Sequence, residues 1–152
     1  ALVLHVLSRI CEKIPDIIFP ILPSDFIEQL VEICNSSPFA IMKEGTLLLA
    51  ILISHGSQED IINHFIYPEI IEILVNMLSS SQDEIILSCL NAINRIIKIA
   101  ESTSNLETLL PILSETDLYP TLSTLEESVK SISSIGIKTT KLLEQLNTFD
   151  NL

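Results

Sequence analysis

The stretch 57–100, SQEDIINHFIYPEIIEILVNMLSSSQDEIILSCLNAINRIIKIA, repeats the apolar pattern of the residues before it at a fixed step of 44. Ile17-Ile18 returns as Ile61-Ile62, Glu28 as Glu72, and Leu30-Val31 as Leu74-Val75. Apolar character is kept between Phe26 and Ile70, Ile27 and Ile71, Ile33 and Met77, and Cys34 and Leu78. Farther on, Ile41 matches Ile85, Met42 matches Ile86, Leu49 matches Ile93 and Leu52 matches Ile96. Within each copy the apolar residues recur at helical spacing, so each is a set of amphipathic helices and the repeat as a whole has no strand signature.

A period of about 40–47 residues is that of HEAT and armadillo units, in which two or three helices stack because none can bury its apolar face alone. The expected fold is therefore all-α: a right-handed α-solenoid of armadillo (ARM/HEAT-like) repeats, about three of them plus a partial first one. The whole of 1–152 reads as one domain. Residues 1–13 are the last helix of a partial repeat, 14–56 and 57–101 are repeats, and 102–152 is a degenerate carboxy-terminal capping repeat.

Local signals set the expected helices. Residues 1–13 form one amphipathic helix stopped by Pro15, and 16–19 a short segment closed by Pro20 and Pro23. Ser24 is expected to cap a helix to Cys34, with Phe26, Ile27, Leu30, Val31, Ile33 and Cys34 as its buried stripe. The turn 35–38 leads to a long apolar helix over 38–54. In the next unit His55-Gly56 stops that helix, and Ser57 with Asp60 has capping-box spacing for a short helix to Phe65. Pro68 opens a helix to Leu78, and Ser81 with Glu84 predicts a second capping box for a long helix to Ala100. In the last unit, 104–107 caps a short helix to Leu113, Asp117 opens one to Glu126, and a final helix is expected over 128–148. Val129, Ile132, Ile135, Thr139, Leu142, Leu143 and Leu146 share one face of it, while its serines and Gly136 weaken it. Triplets of short, medium and long helices favour armadillo over the two-helix HEAT unit, and a polar last repeat suits an end on which nothing stacks.

Composition excludes several function classes. Of the residues 47% are hydrophobic and mean hydropathy is +0.49, yet uncharged runs such as 45–54 fall far short of the about 18–20 residues that cross a bilayer. The apolar start, 1–7, lacks a basic segment and a small-residue cleavage site and fits the repeat, so it reads as a helix of a longer solenoid and not as a signal peptide. The net charge of −12 opposes nucleic acid and anionic membrane as partners. It suits a basic peptide, and it equally keeps a very apolar domain soluble. Cys11, Cys34 and Cys89 are odd in number, far apart and on apolar positions, which predicts buried free thiols in a reducing, intracellular setting, cytoplasm or nucleus.

No cysteine–histidine spacing matches a metal site, and His5, His55 and His64 fall on separate elements with no carboxylate or thiol at ligand or triad spacing. The adjacent carboxylates at 59–60, 83–84 and 126–127 sit at helix ends, where dipole and solubility roles account for them. Glycine-rich phosphate loops and nucleophile elbows are absent from the sequence. The reading is a non-enzymatic chain with no cofactor.

Several stretches, once in register, resemble the carboxy-terminal armadillo repeats of importin alpha, the nuclear-import adaptor. They are Lys43-Glu44-Gly45-Thr46 at the long helix, 54–62 across the turn, 69–78 as the second helix, and above all Asp83-Glu84-Ile85-Ile86-Leu87-Ser88-Cys89-Leu90-Asn91-Ala92-Ile93. Ala100-Glu101 and the longer insertion before Leu118 follow the same pattern, so the resemblance runs over nearly the whole chain. It implies that the third helices line a concave groove. In that family each third helix carries a tryptophan and, four residues on, an asparagine, which together hold an extended lysine-rich signal. The matching positions here are Val3 and Leu7, Leu47 and Ile51, and Asn91 and Arg95. No tryptophan–asparagine pair remains, and Arg95 puts a cation where the family has a neutral amide, which repels a basic signal. Without indoles the groove also forgoes cation–π contacts worth about 0.5–2 kcal/mol each.

The expected function is a protein–protein interaction module with an importin-alpha-like frame and a partner that is a protein or peptide segment. The resemblance adds nuclear transport receptors as partners. The groove positions Val3, Leu7, Leu47 and Ile51 offer an apolar stripe for a hydrophobic helix or strand, or else pack against the second helices. The alternative function is a structural scaffold or regulatory solenoid segment of a larger assembly, such as one within a ubiquitin ligase.

Overall fold

In the computed structural model, which describes residues 1–36, 38–130 and 133–149, the chain is all-α, with ten α-helices, one 3-10 turn and no strand among the described residues. The helices are α1 (Leu2–Lys13), α2 (Pro15–Ile18), the 3-10 turn Phe19–Ile21, α3 (Phe26–Ser36), α4 (Phe39–His55) and α5 (Gln58–His64). They continue as α6 (Pro68–Met77), α7 (Asp83–Ser102), α8 (Leu106–Glu115), α9 (Leu118–Ser128) and α10 (Ser134–Leu146). No helix among the described residues is long and apolar enough to cross a membrane.

The long helices pack one on the next: α1 on α4, α4 on α7, and α7 on α10. The second helices α3 and α6 back the row, packing on each other and on α4 and α7. Three side-chain contacts between successive long helices share one sequence offset of 39. His5 Nδ1 donates to Glu44 Oε2 (3.2 Å), Lys43 Nζ to Gln82 Oε1 (3.1 Å), and Arg95 Nη2 to the carbonyl of Gly56 (2.6 Å). The contact between α7 and α10, from Gln145 Nε2 to Glu101 Oε2 (2.8 Å), spans 44 residues instead.

The core is continuous from Cys11 to Leu146, and α4 is its centre. All nine residues 45–53 of that helix are buried, so α4 has no solvent face along its middle. Its amphipathic neighbours α1, α3, α6 and α7 each turn an apolar stripe toward it. Gly45 permits the closest approach, since a Cβ there would stand 3.0 Å from Cys34 Sγ and 3.4 Å from Ile33 Cγ2 on α3. The buried hydroxyls are satisfied by their own helices: Ser8, Thr46 and Thr139 donate to the carbonyls of Leu4, Met42 and Ile135. Phe65, fully buried, meets Phe19 edge-to-face with centroids 6.5 Å apart, which pins the 3-10 turn to the following unit.

The capping box at Ser57 forms as expected: Asp60 N–H donates to Ser57 Oγ (3.1 Å) and Ser57 N–H to Asp60 Oδ2 (2.9 Å). The one expected at Ser81 does not. There α7 starts after Gln82, whose N–H is taken by Ser80 Oγ (3.2 Å) and whose side chain accepts from Lys43. Likewise α3 starts at Phe26, after Asp25, whose carbonyl accepts the N–H of Gln29, so Ser24 lies in the preceding turn. The final helix is shorter than its expected span 128–148. Ser128 ends α9, and Ser133 begins α10 by accepting the N–H of Gly136 at 3.0 Å. A serine competes for backbone hydrogen bonds and so marks a start where apolar spacing alone runs on. Ile132, and Ser37 in the expected turn 35–38, lie outside the described residues.

The Gly45 contact yields a direct test. Gly45→Val forces a branched side chain against Cys34 and is expected to lower unfolding free energy by about 1–3 kcal/mol, read as a lower urea midpoint at unchanged slope. Unaltered stability would mean that α3 and α4 have slack at this crossing.

Candidate functional site

The six positions singled out by the sequence do not share one environment. Val3, on α1, is 72% exposed, and Leu7, one turn on, is half-buried against the core. Leu47 and Ile51, their equivalents on α4, are each only 6% exposed and belong to the core. Asn91 on α7 is exposed, and Arg95 is half-buried. An accessible apolar stripe through all of Val3, Leu7, Leu47 and Ile51 is therefore not formed. The reason is the closure of α1 and α7 on α4 from both sides. Arg9 of α1 even reaches Glu84 of α7 (2.9 Å), with Glu12 as its second partner (3.1 Å).

Arg95 is engaged within the molecule. Its Nη2 donates to the carbonyl of Gly56, the residue that ends α4. Carbonyls at a helix end lack intrahelical donors and carry partial negative charge, so a guanidinium there is a charge-assisted cap. The cap has a cost, since Arg95 Nε is buried with no hydrogen-bond partner among the described residues. His5 has a carboxylate partner, Glu44, that is remote in sequence.

The three cysteines are free and buried. Burial pushes each thiol upward from its ordinary pKa; Cys89 reaches about 12, with Cys34 a second, smaller cause. Such thiols stay protonated at neutral pH and are poor nucleophiles and poor metal ligands. Among the described residues no group of three or more His, Cys, Asp or Glu side chains is placed to hold a metal ion.

The open cavity on the row of long helices lies one step farther along, between α7 and α10. It measures about 450 Å³ and is lined by Asn91, Asn94 and Lys98 from α7 and by Ile137, Lys138 and Lys141 from α10. Helical spacing produces the lining, since 91, 94 and 98 share one face of α7 and 137, 138 and 141 one face of α10. Glu101 and Gln145, one repeat apart, close one end with a 2.8 Å hydrogen bond. Only Asn91 of this cleft was among the positions chosen from the sequence. The signal for it in the sequence is Lys138 and Lys141, about one turn apart, in a chain that has only eight basic residues; their meeting with Lys98 is set by packing.

No family model matches the chain, and no curated protein sequence matches it.

Two outcomes follow from this geometry. Leu47→Ala and Ile51→Ala are each expected to cost about 2–5 kcal/mol in urea unfolding, whereas Val3→Ala stays within about 0.5 kcal/mol. If the three are alike, α4 is not the buried centre. Arg95→Met keeps the aliphatic stem and removes the cap, so thermal and urea unfolding are expected to show a loss of about 1–3 kcal/mol; an unchanged midpoint would mean that the Gly56 bond adds nothing.

Proposed function

We propose that this chain is a non-enzymatic protein–protein interaction module, built as a right-handed armadillo-type solenoid and related in frame to the nuclear-import adaptor importin alpha. The observation that carries the reading is the constant 39-residue offset of the contacts joining α1, α4 and α7, which supports stacked, equivalent units. Starts of corresponding helices support it too, with Phe39 and Asp83 separated by the same 44 residues as the sequence repeat. In such an array the row of long helices is the natural docking surface, because it presents side chains from every unit to one extended partner.

The partner is a protein segment other than a lysine-rich nuclear signal. Leu47 and Ile51 are core, Arg95 is committed to Gly56, and the cleft farther along the row carries lysines of its own. A basic peptide finds neither aromatic faces for its stems nor free carboxylates in that cleft.

A second reading, a scaffold segment of a larger assembly, is favoured by one specific observation. Leu2, Val3, Val6, Ile10, Ile17 and Ile21 are all exposed at the α1–α2 edge. A cluster of large apolar side chains of this kind is a surface that another element covers.

Calorimetric titration of the 152-residue chain with a lysine-rich nuclear-signal peptide is expected to give no measurable binding at micromolar concentrations. Clear saturable binding would refute this account of the groove.

A further inference from the structure

We propose that the cleft between α7 and α10 binds an acidic peptide segment, its carboxylates held by Lys98, Lys138 and Lys141. This rests on the interaction-module reading and gives its partner a chemistry.

The distribution of charge carries the inference. The chain holds 20 acidic and 8 basic residues, so an exposed cation has every statistical opportunity to pair with a carboxylate. Arg9 does so twice, Arg95 caps a helix, and Lys43 bonds Gln82. Five lysines form no ion pair or side-chain hydrogen bond among the described residues: Lys13 and Lys130 elsewhere, and the three of the cleft, Lys98, Lys138 and Lys141. All three nevertheless converge on one cavity of about 450 Å³, and no Asp or Glu is among its lining residues. The one carboxylate at its end, Glu101, is engaged by Gln145. Three like charges facing a single carboxylate at one end leave net repulsion, and an anionic occupant lessens it.

The remaining lining narrows the occupant to a peptide. Asn91 and Asn94 make no side-chain hydrogen bond among the described residues, and an amide offers both a donor and an acceptor, as a peptide backbone requires. Ile137, 45% exposed between the lysines, provides apolar contact for one aliphatic side chain of the segment. Ammonium–carboxylate hydrogen bonds then supply orientation at contact range. The acidity of the rest of the chain does not prevent this. At physiological salt the screening length is about 8 Å, so remote carboxylates slow the encounter more than they weaken the bound state.

The test uses the 152-residue chain and a fluorescein-labelled glutamate-rich peptide with one central leucine, read by anisotropy. Saturable binding with a dissociation constant of roughly 10–100 µM at low salt, weakening as salt rises, is expected. The triple variant Lys98→Gln, Lys138→Gln, Lys141→Gln is expected to weaken it by about tenfold or more, with the circular dichroism and melting temperature of the parent. Lys13→Gln, outside the cleft, should leave affinity unchanged. Absence of saturation at millimolar peptide, or equal binding by the triple variant, overturns the assignment. So does a single-stranded oligonucleotide that displaces the peptide at lower concentration, which would make the cleft a nucleic-acid site. Binding of a lysine-rich peptide at the same cleft would instead sink the broader functional reading, so the two failures are distinguishable.

Discussion

Everything in this molecule is arranged around the burial of the middle of α4. A helix buried along nine consecutive residues cannot be stabilised by its own amphipathicity, and it requires partners on every side. Four helices supply them, and the identity of one residue, Gly45, sets how near α3 can come. A side chain at that position would hold α3 and α4 apart and loosen the packing of Cys34 and Ile33. The outer helices α1 and α7 are thereby both packed against a shared centre.

That same burial explains what the sequence did and did not reveal. The 44-residue step and the proline, glycine and serine punctuation identify nearly every helix, because those signals act within a few residues of where they stand. Ser57 works as its spacing suggests, with the Asp60 carboxylate turned back on it. Ser81 has the same spacing and forms no box, and the carboxylate it would need, that of Glu84, is bonded to Arg9 from a helix remote in sequence. Exposure is harder still to read. Val3, Leu47 and Asn91 share one register of the 44-residue step, yet Leu47 is buried while Val3 and Asn91 are exposed, and nothing in the residues next to Leu47 encodes that.

The candidate site was legible only in fragments. A net charge averages over the chain, and averaging hides the gathering of three lysines on two facing helices. Arg95 was noticed as a cation on the row, but its destination, a carbonyl of the preceding unit, depends on how two helices cross. Functional chemistry in a repeat array lives between units, so the relevant neighbours are one period away and not three or four residues away.

The bond from Arg95 to Gly56 also bears on how the molecule comes apart. The last carbonyl of one unit is satisfied only while the next unit is folded, so opening of α7 exposes the end of α4, and fraying of α4 strands a guanidinium whose Nε is already buried without a partner. Neither unit can melt cheaply alone. Arrays of repeats otherwise unfold piecemeal, in locally independent blocks. Here a single side chain works as a latch between α4 and α7, so that the end of one helix and the middle of the next loosen together.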